Sequence, residues 1–310
     1  MKKLVAALLL LVAATAGVLY VFPATMLWSV QWVGERVAGV SSRQIEVADL
    51  SIHYYEGGPA GAETLLLVHG FGGDKSNWLK FVGHFTGKYH VIALDLPGFG
   101  DSSKPQLSFD VGTQAERLLT FTDALNLPPV NLVGNSMGGH ISALYAARYP
   151  QRVKSLALFD NAGITAPVDS VLFKRLKSGQ SNPLLIQSRN DFKQMLDLVF
   201  VNVPPMPERL KNYLADRAIA SYPRNSKIFE QLQTRYIALE PELGKIQVPT
   251  LLLWGDQDQI LDISSMAVMR PLLAKPSTAV INNCGHVPML ECPDETAQQY
   301  QQFLTANGKG

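Results

Sequence analysis

The segment Gly134-Asn135-Ser136-Met137-Gly138 stands directly between an apolar run, Val130 to Val133, and a stretch from Met137 to Arg148 that reads as a helix. A strand that turns sharply into a helix can present a side chain at its apex only on strained backbone. Glycines on either side leave room for the turn and for close helix–strand packing. Such a unit needs a buried strand beneath a covering helix. The rest of the chain supplies more of both. Thr64 to Val68, His90 to Asp95, Val153 to Phe159, Thr250 to Trp254 and Thr278 to Ile281 are short apolar runs. Ile45 to Tyr55 alternates and reads as a strand or hairpin ending at Gly57-Gly58-Pro59. Short continuous apolar runs fit strands buried on both faces of a parallel sheet. Helical stretches such as Gly112 to Leu125 lie between them, so the fold class is α/β with a mostly parallel central sheet flanked by helices.

The alternation breaks between about Ala166 and Ile246. Asp191 to Phe200 and Pro207 to Ala220 are helical pieces, separated by Pro204-Pro205-Met206-Pro207. The expected organisation is an N-terminal segment over 1–38, a core over 39–164, an inserted helical cap over 165–247 and the rest of the core over 248–310.

The N-terminus carries 19 uncharged residues from Leu4 to Phe22, preceded by Lys2 and Lys3 and followed by Trp28 and Trp32. That is about 28 Å of helix, close to the bilayer core. The flanking lysines favour a cytoplasmic N-terminus and the tryptophans suit the membrane interface. Ala14-Thr15-Ala16 would also serve as a signal-peptide cleavage site, but the apolar run continues through Val18, Leu19, Val21 and Phe22. The favoured reading is an uncleaved single-pass transmembrane anchor with the rest of the chain extracytoplasmic. Met26, Leu27, Val30, Val33 and Val37 fit one face of a following juxtamembrane helix.

Composition excludes several classes. A net charge of +1 offers no basic excess for nucleic acid, and 47% hydrophobic residues exclude a disordered chain. Two cysteines, Cys284 and Cys292, exclude a disulfide scaffold and a Cys-based zinc site. Both are expected as free thiols, because the loop between them is committed to placing His286.

A serine hydroxyl is a weak nucleophile and needs a base held by a third group. Of six histidines, His286 alone sits in a loop just after the last predicted strand, within Cys284-Gly285-His286-Val287-Pro288. Asp256, Asp258 and Asp160 each follow a strand, at the end where α/β sites are built. Asp258 is favoured, since the turn at Gly255 needs residues before a side chain can be redirected inward. Asp256 then caps the loop. His69-Gly70-Phe71-Gly72-Gly73 follows another strand, and the N–H groups of Phe71 and Met137 are the candidate oxyanion donors.

Together with Asp95-Leu96-Pro97-Gly98-Phe99-Gly100 and Trp254-Gly255-Asp256-Gln257-Asp258, these pieces resemble the α/β-hydrolase family in their order along residues 64 to 292. In that pattern the acid falls on Asp258. Serine at 136 separates the chain from the branches whose nucleophile is Asp. More narrowly, the chain resembles membrane-anchored bacterial lipases and phospholipases A, with Cys292 departing from the pattern. The resemblance implies a serine carboxylester hydrolase that releases fatty acid from lipid acyl esters at a bilayer, in some members as a homodimer. The alternatives are a small-ester esterase, a serine C–C bond hydrolase, or a non-catalytic binding protein on the same fold. The chemistry requires no cofactor and no metal. Leu172, Phe173, Leu196, Phe200 and Leu214 of the cap are expected to shape an acyl channel.

Overall fold

The computed structural model describes Gly17 and residues 22–308. The strands are β1 Val40–Val47, β2 Leu50–Gly57, β3 Thr64–Val68, β4 His90–Leu94, β5 Val130–Asn135, β6 Val153–Phe159, β7 Thr250–Gly255 and β8 Pro276–Ile281. They form one eight-stranded sheet in the order β1-β2-β4-β3-β5-β6-β7-β8. The β1–β2 and β2–β4 pairs are antiparallel and every other pair is parallel.

The apolar runs are continuous because the central strands are covered on both faces. Successive side chains point to opposite sides of the pleat. Leu66, Val68, Ile92, Leu132, Leu158 and Leu252 therefore join one core, while Leu65, Leu67, Val91, Val133, Phe159 and Leu253 join the other. Two helices, α3 Val111–Ala124 and α4 Met137–Arg148, cover the first face. A short helix α2 Leu79–Val82 and the C-terminal helix α12 Pro293–Asn307 cover the second. There Trp78, Phe81, Phe85, Phe159 and Tyr300 pack in edge and tilted contacts with ring centroids as close as 4.8 Å.

The alternating N-terminal stretch is a hairpin. Val47 pairs with Leu50 across a two-residue turn in which Ala48 takes φ 53°. Nothing at Ala48-Asp49 marks that turn in the way Asn-Gly would, so the sequence does not separate one strand from two.

Between β6 and β7 lie α5 Val171–Lys177, α6 Arg189–Val199, α7 Glu208–Ala220, α8 Tyr222–Thr234 and α9 Glu240–Leu243, with no strand among the described residues. The side chains of Ser170 and Ser188 accept the third-position N–H groups of α5 and α6 and so start those helices. After β7 come α10 Ser265–Met269 and α11 Pro288–Glu291.

The first described helix, α1 Pro23–Ala38, packs against α2 and α7, with Gly34 set against Leu79. Only part of its expected apolar face is covered. Met26 and Leu27 are half-buried, whereas Val30, Val33 and Val37 are exposed beside Trp28 and Trp32. Among the described residues no helix is long and apolar enough to cross a membrane. The expected transmembrane anchor, Leu4 to Phe22, lies almost wholly outside the described residues.

Candidate active site

Ser136 sits at the tip of β5 with φ 55° and ψ −122°, a conformation that costs a non-glycine residue energy. Its neighbours hold it there. The Ser136 N–H donates to the Phe159 carbonyl at 3.0 Å, and its own carbonyl accepts from His140 and Ala162 at 3.1 and 3.0 Å. The flanking glycines are required sterically. A Cβ on Gly138 would lie 2.3 Å from the Val68 carbonyl oxygen, and one on Gly134 would lie 2.4 Å from the Gly138 carbonyl oxygen. The turn thus fuses β5, β3 and the start of α4 into one rigid corner.

His286 and Asp258 meet after β8 and β7. The His286 Nδ1 lies 2.8 Å from Asp258 Oδ2, and the two side chains are 7% and 0% exposed. Asp258 faces inward because its other oxygen accepts the N–H groups of Ile260 and Leu261 at 2.7 and 3.1 Å. Asp256 is exposed, and its carboxylate takes the Cys284 N–H at 3.3 Å. Backbone contacts fix the histidine loop. The His286 N–H donates to the Val199 carbonyl at 2.9 Å. The Asn135 side chain donates to the carbonyls of His286 and Phe159 at 3.0 and 3.1 Å. Glu291 accepts the N–H groups of Gly285 and Asn202 at 2.9 and 2.6 Å. Asn135 and Glu291 were not singled out by sequence. Asn135 is the variable position of the glycine–serine motif, and Glu291 has no local signature.

Asp160 is also at this corner. It is fully buried with φ 46°, and its Oδ1 accepts the Gly255 N–H at 2.9 Å. Its other oxygen finds no donor. Burial first, then the charge of Asp258, push the Asp160 carboxyl well above the usual carboxylate range. Asp160, Asp258 and His286 each offer a ligand atom within 4.8 Å of the others, the one such cluster among the described residues. The His286 Nδ1 and both Asp258 oxygens already make hydrogen bonds within the protein, whereas Asp160 Oδ2 makes none.

The loop after β3 approaches the serine closely. A Cβ on Gly70 would fall 3.0 Å from the Ser136 Cβ. His69 holds this loop: its Nδ1 pairs with the Gly70 carbonyl at 2.7 Å, and its Nε2 accepts the Leu96 N–H at 3.0 Å. Burial holds His69 below the usual histidine range, so it stays neutral in that arrangement. The Phe71 ring packs on Phe99 and on Phe229 of α8, with centroids 5.9 and 5.7 Å apart. Met137, the first residue of α4, has an N–H without an acceptor inside its helix.

Leu172, Leu196, Phe200 and Leu214 gather in one apolar cluster with Ile260 and Val287, next to His286. Phe173 does not join them. It is 45% exposed, because adjacent helix positions diverge by about 100° and Leu172 takes the inward one.

The expectation of free thiols is overturned. Cys284 and Cys292 form a disulfide with Cα atoms 6.4 Å apart. The single helical turn Pro288–Glu291 folds the chain back, so the loop presents His286 and closes on itself at the same time.

Residues 63–293 match the model of the alpha/beta hydrolase fold family. Lipase 1 of Psychrobacter immobilis is 39% identical over 256 residues, covering 81% of this chain and 79% of that lipase. Bovine monoacylglycerol lipase ABHD6 is 30% identical over 298 residues, covering 92% of this chain and 88% of that enzyme. The crystal structure of a membrane phospholipase A, a bacterial virulence factor, superposes with a TM-score of 0.92 at 56% identity and covers 100% of both chains.

Proposed function

The chain belongs to the α/β-hydrolase family and is a carboxylic ester hydrolase of the lipase type, and on that premise we propose that it cleaves membrane-lipid acyl esters through Ser136, His286 and Asp258. The observation that carries this reading is the buried His286–Asp258 hydrogen bond of 2.8 Å, set at the same end of the sheet as the strained Ser136 turn.

In this mechanism Asp258 accepts the Nδ1–H of His286, which leaves Nε2 free to act as base. The Ser136 hydroxyl gives its proton to Nε2 as its oxygen attacks the ester carbonyl carbon. The N–H groups of Phe71 and Met137 stabilise the resulting oxyanion, each contributing roughly 3 kcal/mol. The imidazolium then returns the proton to the departing alcohol oxygen, and the acyl group remains on Ser136. Water, deprotonated by His286, attacks the acyl carbonyl and releases the fatty acid.

The segment 165–247 acts as a cap whose apolar cluster, with Leu172, Leu196, Phe200 and Leu214, receives the acyl chain beside His286. Leu4 to Phe22 acts as an uncleaved single-pass anchor with its N-terminus cytoplasmic and the catalytic part extracytoplasmic. Two observations support that side of the membrane reading. A disulfide persists in oxidising extracytoplasmic compartments, and the exposed Val30, Val33 and Val37 of α1 suit a lipid interface.

The experiment compares the full chain with a variant lacking residues 1–22, which spares the packing of α1 on α2. Hydrolysis of phospholipid in phosphatidylcholine–phosphatidylglycerol vesicles should fall far more than hydrolysis of a soluble short-chain ester. Equal proportional losses on both substrates would overturn the positioning role of the anchor.

A further inference from the structure

The Asp258 carboxylate is not alone behind His286. The side chain of Asp160 enters the same buried corner from the end of β6, with no exposure to solvent and one oxygen already engaged by Gly255 N–H. Its remaining oxygen has no donor from any protein group. The group it meets is the Asp258 carboxyl, with their ligand oxygens and a His286 ring nitrogen all within 4.8 Å of one another. Two acceptor-only carboxylates in such a place would repel, since like charges at short range in a dry site cannot both ionise. Glu291, whose carboxylate spans Gly285 and Asn202 at the rim, adds further negative charge.

We propose that Asp160 is a positioning residue of the catalytic triad, carrying a proton at neutral pH and donating it in a hydrogen bond to Asp258. The Asp160–Asp258 pair then holds a single negative charge. The proton satisfies the orphan Asp160 oxygen and removes the repulsion. It also supplies Asp258 with a fourth donor, beside the Ile260 and Leu261 N–H groups and the His286 Nδ1–H, so that the oxygen facing His286 Nδ1 is fixed in direction. The backbone of Asp160 supports this task. Its positive φ of 46° turns the side chain back toward β7, and its N–H is held by the Leu253 carbonyl at 3.0 Å. Asp160 thereby tunes Asp258 and never touches substrate. The inference rests on the Ser136–His286–Asp258 reading for its catalytic meaning but not for the protonation itself.

The test uses the full chain in detergent or vesicles, with Asp160→Asn and Asp160→Ala. Asn keeps the shape and offers an N–H donor where the acid offers O–H. Ester turnover by Asp160→Asn should stay close to wild type, and the acid limb of its kcat/KM profile should not move, because no charge is lost. Asp160→Ala should lower kcat by about tenfold or more with little change in KM, since Asp258 loses a fixed partner. Its acid limb should move to higher pH, because an Asp258 freed of one donor stabilises the imidazolium more. An ionised Asp160 gives the opposite pattern: Asp160→Asn would remove a negative charge beside His286 and shift the acid limb to lower pH, which would overturn the proposal. Loss of activity in Asp160→Asn as deep as in Asp258→Asn would also overturn it, by making Asp160 the triad acid. The infrared difference between wild type and Asp160→Asn at neutral pH needs no turnover. It should contain the carbonyl stretch of an undissociated carboxylic acid, present in the wild type and missing in the variant. Its absence refutes a protonated Asp160 whatever the enzyme hydrolyses, whereas an intact band in a protein without esterase activity would refute only the triad reading.

Discussion

Reducing the Cys284–Cys292 bridge should cost the fold about 2.5 kcal/mol. The two residues are separated by 8 positions, so the bridge closes a short loop. Loop-closure entropy removed from the unfolded chain by a loop of that size is roughly 8 cal/mol/K, which gives about 2.5 kcal/mol at 25 °C. The folded-to-unfolded ratio should therefore drop roughly 60-fold in reductant. Urea unfolding with and without a phosphine reductant measures this on one polypeptide, with no change in packing. Trp78 and Trp254 are fully buried and report the transition by fluorescence. With a urea slope of about 2–3 kcal/mol/M the midpoint should fall by roughly 1 M. Activity of the reduced, still-folded enzyme should fall only modestly. The His286 loop keeps its hydrogen bonds to Val199, Asn135 and Glu291 at 2.9, 3.0 and 2.9 Å. Identical midpoints in the two conditions would refute the reasoning, as would two titratable thiols in the denatured, unreduced protein.

Asp258→Asn should lower kcat by about 10⁴, because an amide no longer fixes the Nδ1–H tautomer of His286, while Asp256→Asn should stay near wild type because that exposed carboxylate only caps the Cys284 N–H. Steady-state ester assays on both variants check this, and a larger loss in Asp256→Asn would reverse the assignment. Gly138→Ala should destabilise the fold by about 1–3 kcal/mol or more, since its Cβ would press on the Val68 and His69 carbonyl oxygens at 2.3 and 2.4 Å. Thermal unfolding of the purified variant measures that cost, and an unchanged melting temperature would mean the corner relaxes freely.

The parts of the molecule legible in the sequence are those where local pattern and tertiary burial agree. Thr64–Val68 and Val153–Phe159 are strands over the expected residues, because burial on both faces makes their central positions a short apolar run. Met137–Arg148 is a helix over the expected span for a similar reason, with its start fixed by the turn at Ser136. The helices Val171–Lys177 and Tyr222–Thr234 were not resolved as elements by sequence. Their polar faces interrupt the apolar pattern, and a serine cap such as Ser170 before the first of them occurs equally in loops. Within the site, the meeting of His286 with Asp258 follows from strand order, since β7 and β8 are adjacent and parallel. The Asp160 carboxyl was visible as a third acid after a strand, but its place behind Asp258 depends on β6 lying beside β7. The disulfide escaped because its geometry is set by one helical turn, Pro288–Glu291, that is too short to read from pattern.

The most direct measurement of the catalytic reading is fluorophosphonate labelling of the full chain, located by peptide mass spectrometry and paired with the ester turnover of Ser136→Ala. The account predicts a single covalent adduct on Ser136, no adduct in the variant, and a fall in kcat of about 10⁴ or more with an unchanged melting temperature. Labelling at another residue, or substantial turnover by a well-folded Ser136→Ala protein, would contradict it.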